Sequence, residues 1–577
     1  MMLRQGLRHS CEIGDDMASY GWTEYDGRLG GKQLLSDRGM KLDIETEFIK
    51  VPGPNGTPPI SRERLSGGGN WGVRIRGRPQ NNGSVTTVWF YVGLEGLGDL
   101  HLGSDFNPNG FDDEVVLEGA TSSLGEFSIE ITKGPETNRH PVYSHPAKQR
   151  FDETIYSAIE VVPEQVWQAK EAIVGEISEN ARRLIGIWGQ DNAPPPAHIF
   201  SLTNKQGPGL QVFQKIFHGE FEFDILYNSK SSPQEITSSL ISQRSSELSH
   251  AFNERFSKVF PLHAPFNTDR HIRFAKEALS SLLGGISYFH GQSLVDRHTH
   301  SSYDEEDEDF WIDATAERTK STGAHLEGPA ELFTATPSRP FFPRGFYWDE
   351  GFHLLPVGEW DNDLALEVLK SWFSLMDQDG WIAREQILGE ESRSKVPEEF
   401  QTQYPHYANP PTLLMPIANF VERLKKESVG NVQIEQDVLA VEDAAEKVTR
   451  RFLDNRVLAK HYLEGLYPLL QRHHEWFRRT QAGDIKTWDR EAFSSKEGYR
   501  WRGRTPDHCL TSGLDDYPRA RPPHTGELHV DLLSWMGFFA KTLKDVADFL
   551  GKEEDVAELS KIETAIVKNL DGTPPFC

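Results

Sequence analysis

The sequence predicts a multidomain α and β protein, with an N-terminal antiparallel β-sandwich followed by a long helical region. Three observations carry that expectation. Short β-branched or aromatic runs, punctuated by Gly, Pro and Asn clusters, crowd the first 225 or so residues. From about Ile236 the apolar pattern turns helical. The chain has 577 residues, 37% of them hydrophobic and 11% aromatic, enough for more than one core.

The predicted strands are Val73–Arg76, Val85–Val92, Glu114–Leu117, Phe127–Ile131 and Glu220–Tyr227. Several alternate, as in Phe127-Ser-Ile-Glu-Ile131, and turn signals such as Gly67–Asn70 and Asn107–Gly110 separate them. A helix at Val162–Ile187 interrupts the β pattern. Further helices are predicted at Ile272–Tyr288, Asn362–Met376, Pro411–Lys425, Glu435–Leu453, Val457–Gln481, Glu527–Leu550 and Glu554–Asn569. Asn409-Pro410-Pro411 reads as a start signal, and Asp379-Gly380 and Gly551 as stops. The expected domains are a sandwich at 1–225, a helical connection at 226–265 and a helical domain at 266–577.

Composition excludes some functions. A net charge of −26 repels nucleic acid and suits a neutral ligand. Three cysteines, Cys11, Cys509 and Cys577, make neither a disulfide framework nor a metal-binding spacing, and whether Cys11 meets Cys509 stays open. The acidic run Ser301–Asp309 and the neighbouring Arg297-His298-Thr299-His300 read as solvated surface, so no metal or cofactor is expected. The sequons at Asn55 and Asn82 would accept glycan in a secretory compartment. No apolar run approaches the roughly 18 residues of a membrane span, and the first residues lack a signal-peptide core.

Three stretches concentrate groups suited to a hydroxyl-rich ligand. The first, Tyr499–Trp535, opens with Trp501-Arg502-Gly503-Arg504 and presents Asp515 and Asp516 after the turn Thr511–Leu514. Arg519 and Arg521 follow, then a helix carrying Glu527 and Asp531 four residues apart on one face. Aromatic faces cover the apolar side of a sugar ring, arginines fix its orientation, and one carboxyl held protonated supplies acid chemistry. The second, Phe342–His353, surrounds the adjacent carboxylates Asp349 and Glu350 with Phe346, Tyr347, Trp348 and Phe352, a plausible pocket for one glucose unit. The third, Trp381–Pro397, places Arg384 and Glu385 just after the turn at Gly380. On residue type alone each stretch also reads as a core, a surface ion pair or an acidic loop.

These stretches resemble the processing α-glucosidase I family, the endoplasmic-reticulum mannosyl-oligosaccharide glucosidases of glycoside hydrolase family 63. The resemblance runs from about Leu7 to about Leu570, and Glu527–Trp535 looks like the family's substrate-binding signature, matching at Glu527, His529, Asp531 and Trp535. It implies an (α/α)6 barrel behind the sandwich. It also implies removal of the outermost α-1,2-linked glucose from the triglucosylated N-glycan precursor, with inversion and without a cofactor. Ser512-Gly513-Leu514-Asp515 is similar to the Ser-Gly-Trp-Asp motif of trehalases, which makes Asp515 the implied general acid and Asp516 a neighbour that raises its pKa. The Trp-Asp motif at Trp348-Asp349 implies glucose binding there. Glu350, Arg384, Glu385, Trp501, Arg502, Glu527, His529 and Asp531 are the remaining expected pocket residues.

The same resemblance implies a location in the endoplasmic-reticulum lumen, behind a membrane anchor in full-length members. The family's catalytic base is a Glu nearer the end of a full-length chain, and here the pattern departs at about Asp571. Only about seven long helices follow Ile272, against twelve in a complete barrel. The expectation is therefore an incomplete barrel without its base, with the apolar faces of Leu532, Leu533, Met536 and Phe539 short of partners, and an inactive chain. The alternatives are a carbohydrate-binding fragment without activity, or a related α/α-barrel glycosidase with a trehalase-like or mannosylglycerate-type substrate.

Overall fold

The computed structural model describes residues 7–9, 14–51, 69–96, 98–145, 150–232, 234–297, 323–427, 448–505, 507–519 and 523–572. Contacts divide the chain into two units, Met1–Gly284 and Gly285–Cys577.

The first unit is a β-sandwich with a helix on each outer face. Its strands are β1 (Met17–Asp26), β2 (Gly30–Asp37), β3 (Leu42–Val51), β4 (Asn70–Pro79), β5 (Val85–Val92), β6 (Gly98–Leu102), β7 (Val115–Thr121), β8 (Gly125–Ile131), β9 (Ile155–Ile159), β10 (Leu210–His218) and β11 (Phe221–Ser229). An eight-stranded sheet runs β1-β2-β3-β4-β11-β8-β7-β6, and a three-stranded sheet runs β5-β10-β9. Every pairing between these strands is antiparallel. Between the sheets pack Val115, Leu117, Ile129, Ile131, Phe223 and Ile225 from one and Tyr156, Phe213 and Phe217 from the other.

Numbering only helices of more than ten residues, α1 (Ala169–Trp188) lays Ile173 and Ile177 on Ile155, Val212 and Ile216, the far side of the small sheet. On the far side of the large sheet, α2 (Ser238–Val259) sets Ile241 and Leu248 against Ile49, Val51 and Leu226. The next helix, α3 (Asp269–Gly284), packs on β1, where the Ser280 hydroxyl accepts from the Tyr25 amide at 3.1 Å. The sequence expectation made residues 226–265 a connection. In the structure both α2 and α3 instead complete the first unit.

Two helix bounds differ for local reasons. The helix expected at Ile272–Tyr288 ends at Gly284, because the chain becomes β12 (Ser287–Val295) and pairs with β13 (His325–Thr334). The helix expected from Val162 opens as a 3-10 turn, Pro163–Gln168. Most of the helix expected at Glu435–Leu453 lies outside the described residues, as do Ser301–Asp309, His298–His300, Arg521, Asn55, Cys11 and Cys577. Arg297 pairs with Glu327 at 2.7 Å and Asp377 at 3.0 Å. Asn82 sits on an exposed turn, and Cys509 is a free, buried thiol.

The second unit is mainly helical. After a short ladder between β14 (Gly345–Phe346) and β15 (Glu385–Gln386) its long helices are α4 (Tyr347–Trp360), α5 (Asn362–Ser374), α6 (Leu414–Glu427), α7 (Arg456–Thr480), α8 (Val530–Leu550) and α9 (Glu553–Gly572). Consecutive pairs α4–α5, α7–α8 and α8–α9 pack together, and α6 touches α4 and α8. The apolar stripe of α8 has its partners: Leu532, Met536 and Phe539 are 0% exposed and Leu533 is 1% exposed. That corrects the expectation of an uncovered face. Among the described residues no helix is long and apolar enough to cross a membrane.

Candidate active site

The Phe342–His353 and Trp381–Pro397 stretches meet through backbone. Gly345 pairs with Gln386 and Phe346 with Glu385, and the Tyr347 amide donates to the Arg384 carbonyl at 2.9 Å. This ladder starts α4 beside β15, so Trp348 and Asp349 emerge in the first helical turn next to Arg384 and Glu385. A buried post holds the start of α4. Tyr347 Oη and His473 Nε2 lie 2.7 Å apart, and His473 Nδ1 lies 2.7 Å from the Gly380 carbonyl oxygen. A neutral ring serves both contacts, Nδ1–H donating and Nε2 accepting, and burial pushes the His473 pKa down to about 4.

Glu385 is buried and held by Arg344 at 2.9 Å and Arg384 at 3.1 Å. The Arg344 guanidinium also lies over the Phe346 ring, 4.6 Å from its centroid. Trp348 and Asp349 are half-buried. Burial lifts the Asp349 carboxyl above the usual carboxylate range; Glu385 adds to the rise and His353 opposes it.

The Asp515 loop reaches the same place. Gly513, at φ +72°, lies so close to Trp348 that a Cβ there would come within 2.8 Å of the indole. A left-handed turn and a ring in contact with its backbone both require glycine. Asp515 is exposed on the loop, yet its carboxyl senses Arg384, Glu385, Asp516 and His508. Partial desolvation raises its pKa, Asp516 and Glu385 raise it further, and Arg384 and His508 pull it back. The structure thus brings together Trp348, Asp349, Arg384, Glu385, Asp515 and Asp516, contributed by three separate stretches. Phe342 and Phe352 stand exposed beside them, and the Phe352 ring meets Trp348 edge-on at 5.1 Å.

Other expected pocket residues lie behind this surface. Glu350 is 0% exposed, accepting from the Ala335 amide and facing His353 Nδ1, both at 3.1 Å. Trp501 is 1% exposed, so its ring presents no face to a ligand; its Nε1 donates to Asp531 at 3.0 Å and its amide to His529 Nδ1 at 2.9 Å. Arg502 spends its guanidinium on the carbonyls of Thr480 and Ala482. Glu527 and Asp531 do not share a helix face, because α8 begins at Val530 and His529 is still extended, at φ −108° and ψ 113°. Glu527 turns inward to Arg504 and His529, while Asp531 accepts from Trp501 and from Arg519 at 3.2 Å. Burial, with Arg519, Arg504 and Arg500 adding to it, pushes the pKa of His529 well down. Asp531 alone of this group keeps a half-exposed carboxylate.

Sequence reasoning passed over His508, which faces the Asp515 charge, and read Asn409-Pro410-Pro411 only as a helix start. No signal in the sequence marks either. Among the described residues no group of His, Cys, Asp and Glu has the geometry of a metal site.

Comparison with known proteins gives a consistent result. Residues 236–573 match the glycosyl hydrolase family 63 C-terminal domain, and residues 2–200 match that family's N-terminal domain. A probable mannosyl-oligosaccharide glucosidase of Schizosaccharomyces pombe is 42% identical over 98% of this chain and 69% of its own length. The mannosyl-oligosaccharide glucosidase of Saccharomyces cerevisiae is 35% identical over the same shares. One from Arabidopsis thaliana is 30% identical over 96% of this chain and 57% of its own. A solved putative kojibiose phosphorylase from the human microbiome covers 93% of this chain and 55% of its own at 7% identity and a TM-score of 0.27, too slight a likeness to carry weight. Nearly all of this chain aligns with the first two relatives, it spans 69% of their length, and neither comparison shows the chain to be inactive.

Proposed function

The chain belongs to glycosyl hydrolase family 63, and from that membership we propose that it is a mannosyl-oligosaccharide glucosidase acting in N-glycan processing. Its substrate is the triglucosylated N-glycan precursor, from which it releases the outermost α-1,2-linked glucose with inversion. That substrate puts its work in the endoplasmic-reticulum lumen. The helices of the second unit are read as part of an (α/α)6 barrel.

The observation that carries the chemistry is the convergence of Asp515 with Trp348, Asp349, Arg384 and Glu385. Trp348 and the exposed Phe352 offer apolar faces to a glucose ring. Asp349 accepts from its hydroxyls, and Arg384, anchored on Glu385, donates to them. Asp515 gives its proton to the glycosidic oxygen as the bond to the anomeric carbon breaks, while a water bonds to that carbon from the opposite face and loses its proton to a second carboxylate acting as base, so the departing sugar leaves as a neutral alcohol. A raised pKa suits that task, since the carboxyl must arrive protonated near neutral pH. Glu350, Trp501, Glu527 and His529 act behind the pocket by holding its walls.

The test is glucose release from a triglucosylated oligosaccharide, followed by NMR so that the first-formed anomer is seen. Inversion gives β-glucose. Asp515→Asn should lower kcat by roughly 10²–10⁴-fold with binding largely kept. A drop of less than about tenfold removes Asp515 from the role of acid and moves Asp516 forward.

A further inference from the structure

The acid loop and the glucose-binding turn come from distant parts of the chain, yet one short segment touches both. Asn409 Nδ2 donates to the Thr511 carbonyl at 2.8 Å, at the base of the turn that presents Asp515. Three residues on, Thr412 Oγ1 donates to the Trp348 carbonyl at 2.7 Å and the Tyr347 carbonyl at 3.2 Å. Both side chains are buried, Thr412 at 0% and Asn409 at 7% exposure. Between them Pro410 and Pro411 fix two φ angles and remove two amide donors, so the spacing of the two side chains is set by a stiff link. Contact on the α4 side is close: a Cβ on Gly351 would come within 2.2 Å of the Thr412 backbone.

On the other side the turn leans on Asn409. Thr511 Oγ1 donates to the Arg502 carbonyl and Ser512 Oγ to the Cys509 carbonyl, contacts made within the same stretch of chain. Arg502 ties the start of this stretch to residues 480–482, Asn409 ties its far end at Thr511 to the segment that also holds α4, and Gly513 then rests on Trp348. We infer that Asn409–Thr412 is a strap that sets the proton donor over the glucose-binding turn, with Asn409 and Thr412 as positioning residues for the reaction. This rests on the proposed glucosidase function. Neither residue touches substrate. Asn409 acts through the Thr511 carbonyl on Asp515, and Thr412 acts through the Trp348 carbonyl on the glucose subsite.

A misplaced acid hurts only those substrates that need a proton. Loss of about 1 Å of placement can cost about 10²-fold in rate. A leaving group that departs unaided, such as fluoride, escapes that loss. Asn409→Asp keeps the shape but replaces the donating amide with an acceptor facing a carbonyl. It is expected to slow hydrolysis of an α-1,2-linked glucose disaccharide about 100-fold, while α-glucosyl fluoride stays within about threefold of wild type. Thr412→Val is expected to raise KM for both substrates, and Thr412→Ser, which keeps the hydroxyl, to restore it.

Amide exchange followed by mass spectrometry supplies a readout independent of activity. Residues 511–516 should exchange faster in Asn409→Asp, with α7 and α8 unchanged. Equal loss on both substrates, or unchanged exchange in the loop, overturns the strap. A wild-type protein inactive on every α-glucoside overturns the glucosidase reading instead, and the exchange result then decides the strap alone.

Discussion

His473→Phe is the perturbation whose size the structure sets most directly. The imidazole is buried in an aromatic cluster, stacked on Trp476 with ring centroids 5.7 Å apart and edge-on to Phe477 at 5.0 Å. Its pKa falls from the ordinary 6.5 to about 4, chiefly because burial penalises the charged ring. Between those two values the unfolded chain binds a proton that the folded chain refuses. The histidine's contribution is therefore whole above pH 6.5 and is lost as pH falls toward 4. At about 1.36 kcal/mol per pH unit, the loss between pH 7 and pH 4.5 comes to about 2 kcal/mol. Phenylalanine fits the cluster but does not titrate. At pH 7 it leaves the Tyr347 hydroxyl and the Gly380 carbonyl unpartnered, at about 1–3 kcal/mol each. Denaturant unfolding followed by tryptophan fluorescence should thus find wild type well ahead at pH 7, with the gap about 2 kcal/mol narrower at pH 4.5. His474, pushed down to about 3, stays in both proteins. A gap that does not change with pH would refute a neutral, proton-refusing His473.

Asp349→Ala should weaken binding of a glucose-like product analogue by about 1–3 kcal/mol, measured by calorimetry; unchanged affinity would end its role in recognition. Asp516→Asn removes a like charge that raises the Asp515 pKa, so the alkaline limb of the kcat profile should move to lower pH. A limb that stays in place would detach Asp516 from the acid. In the first unit, Lys215 is buried with Nζ 2.8 Å from Thr154 Oγ1, and desolvation pushes its pKa down to about 7. Below pH 7 the full cost of that burial is present, and it fades as pH rises toward 10.5, so Lys215→Met should stabilise the sandwich most near neutrality. Thermal melts at pH 7 and pH 10 check this, and an equal gain at both values would argue against it.

The two-part architecture was legible because each part announces its own period. β8 and α8 alternate or repeat apolar residues cleanly, and both were found within a few residues. The strands overlooked fail for physical reasons. β9 and β10 are buried on both faces, Gln211, Gln214 and Lys215 included, so polar and apolar residues do not mark opposite faces. β1 to β3 are half-buried and carry many polar residues, which hides their strand pattern. The assignment of residues 226–265 to a connection missed that Ile236, Ile241 and Leu248 complete a core begun by Ile49 and Leu226.

At the site, the residues that face solvent and those that brace them look alike in sequence. Tryptophans and carboxylates served for both, and motif matching has no term for burial. Trp348 and Trp501 each sit beside a charged residue, yet one is half-buried against Gly513 and the other is sealed, its indole N–H spent on Asp531. Glu527 and Asp531 fail by a shorter step. The i to i+4 rule holds only inside a helix, and three residues of extended or turn backbone before Val530 send Glu527 to Arg504 instead. Asp515 is the acid proposed from its motif, and its carboxyl senses Asp516, Glu385, Arg384 and His508, three of which depend on folding or on long-range contact. A charge environment assembled from residues 384–385 and 508–516 is a property of tertiary structure. The sequence singles out Asp515 as the candidate acid, and the fold sets how tightly its carboxyl holds a proton.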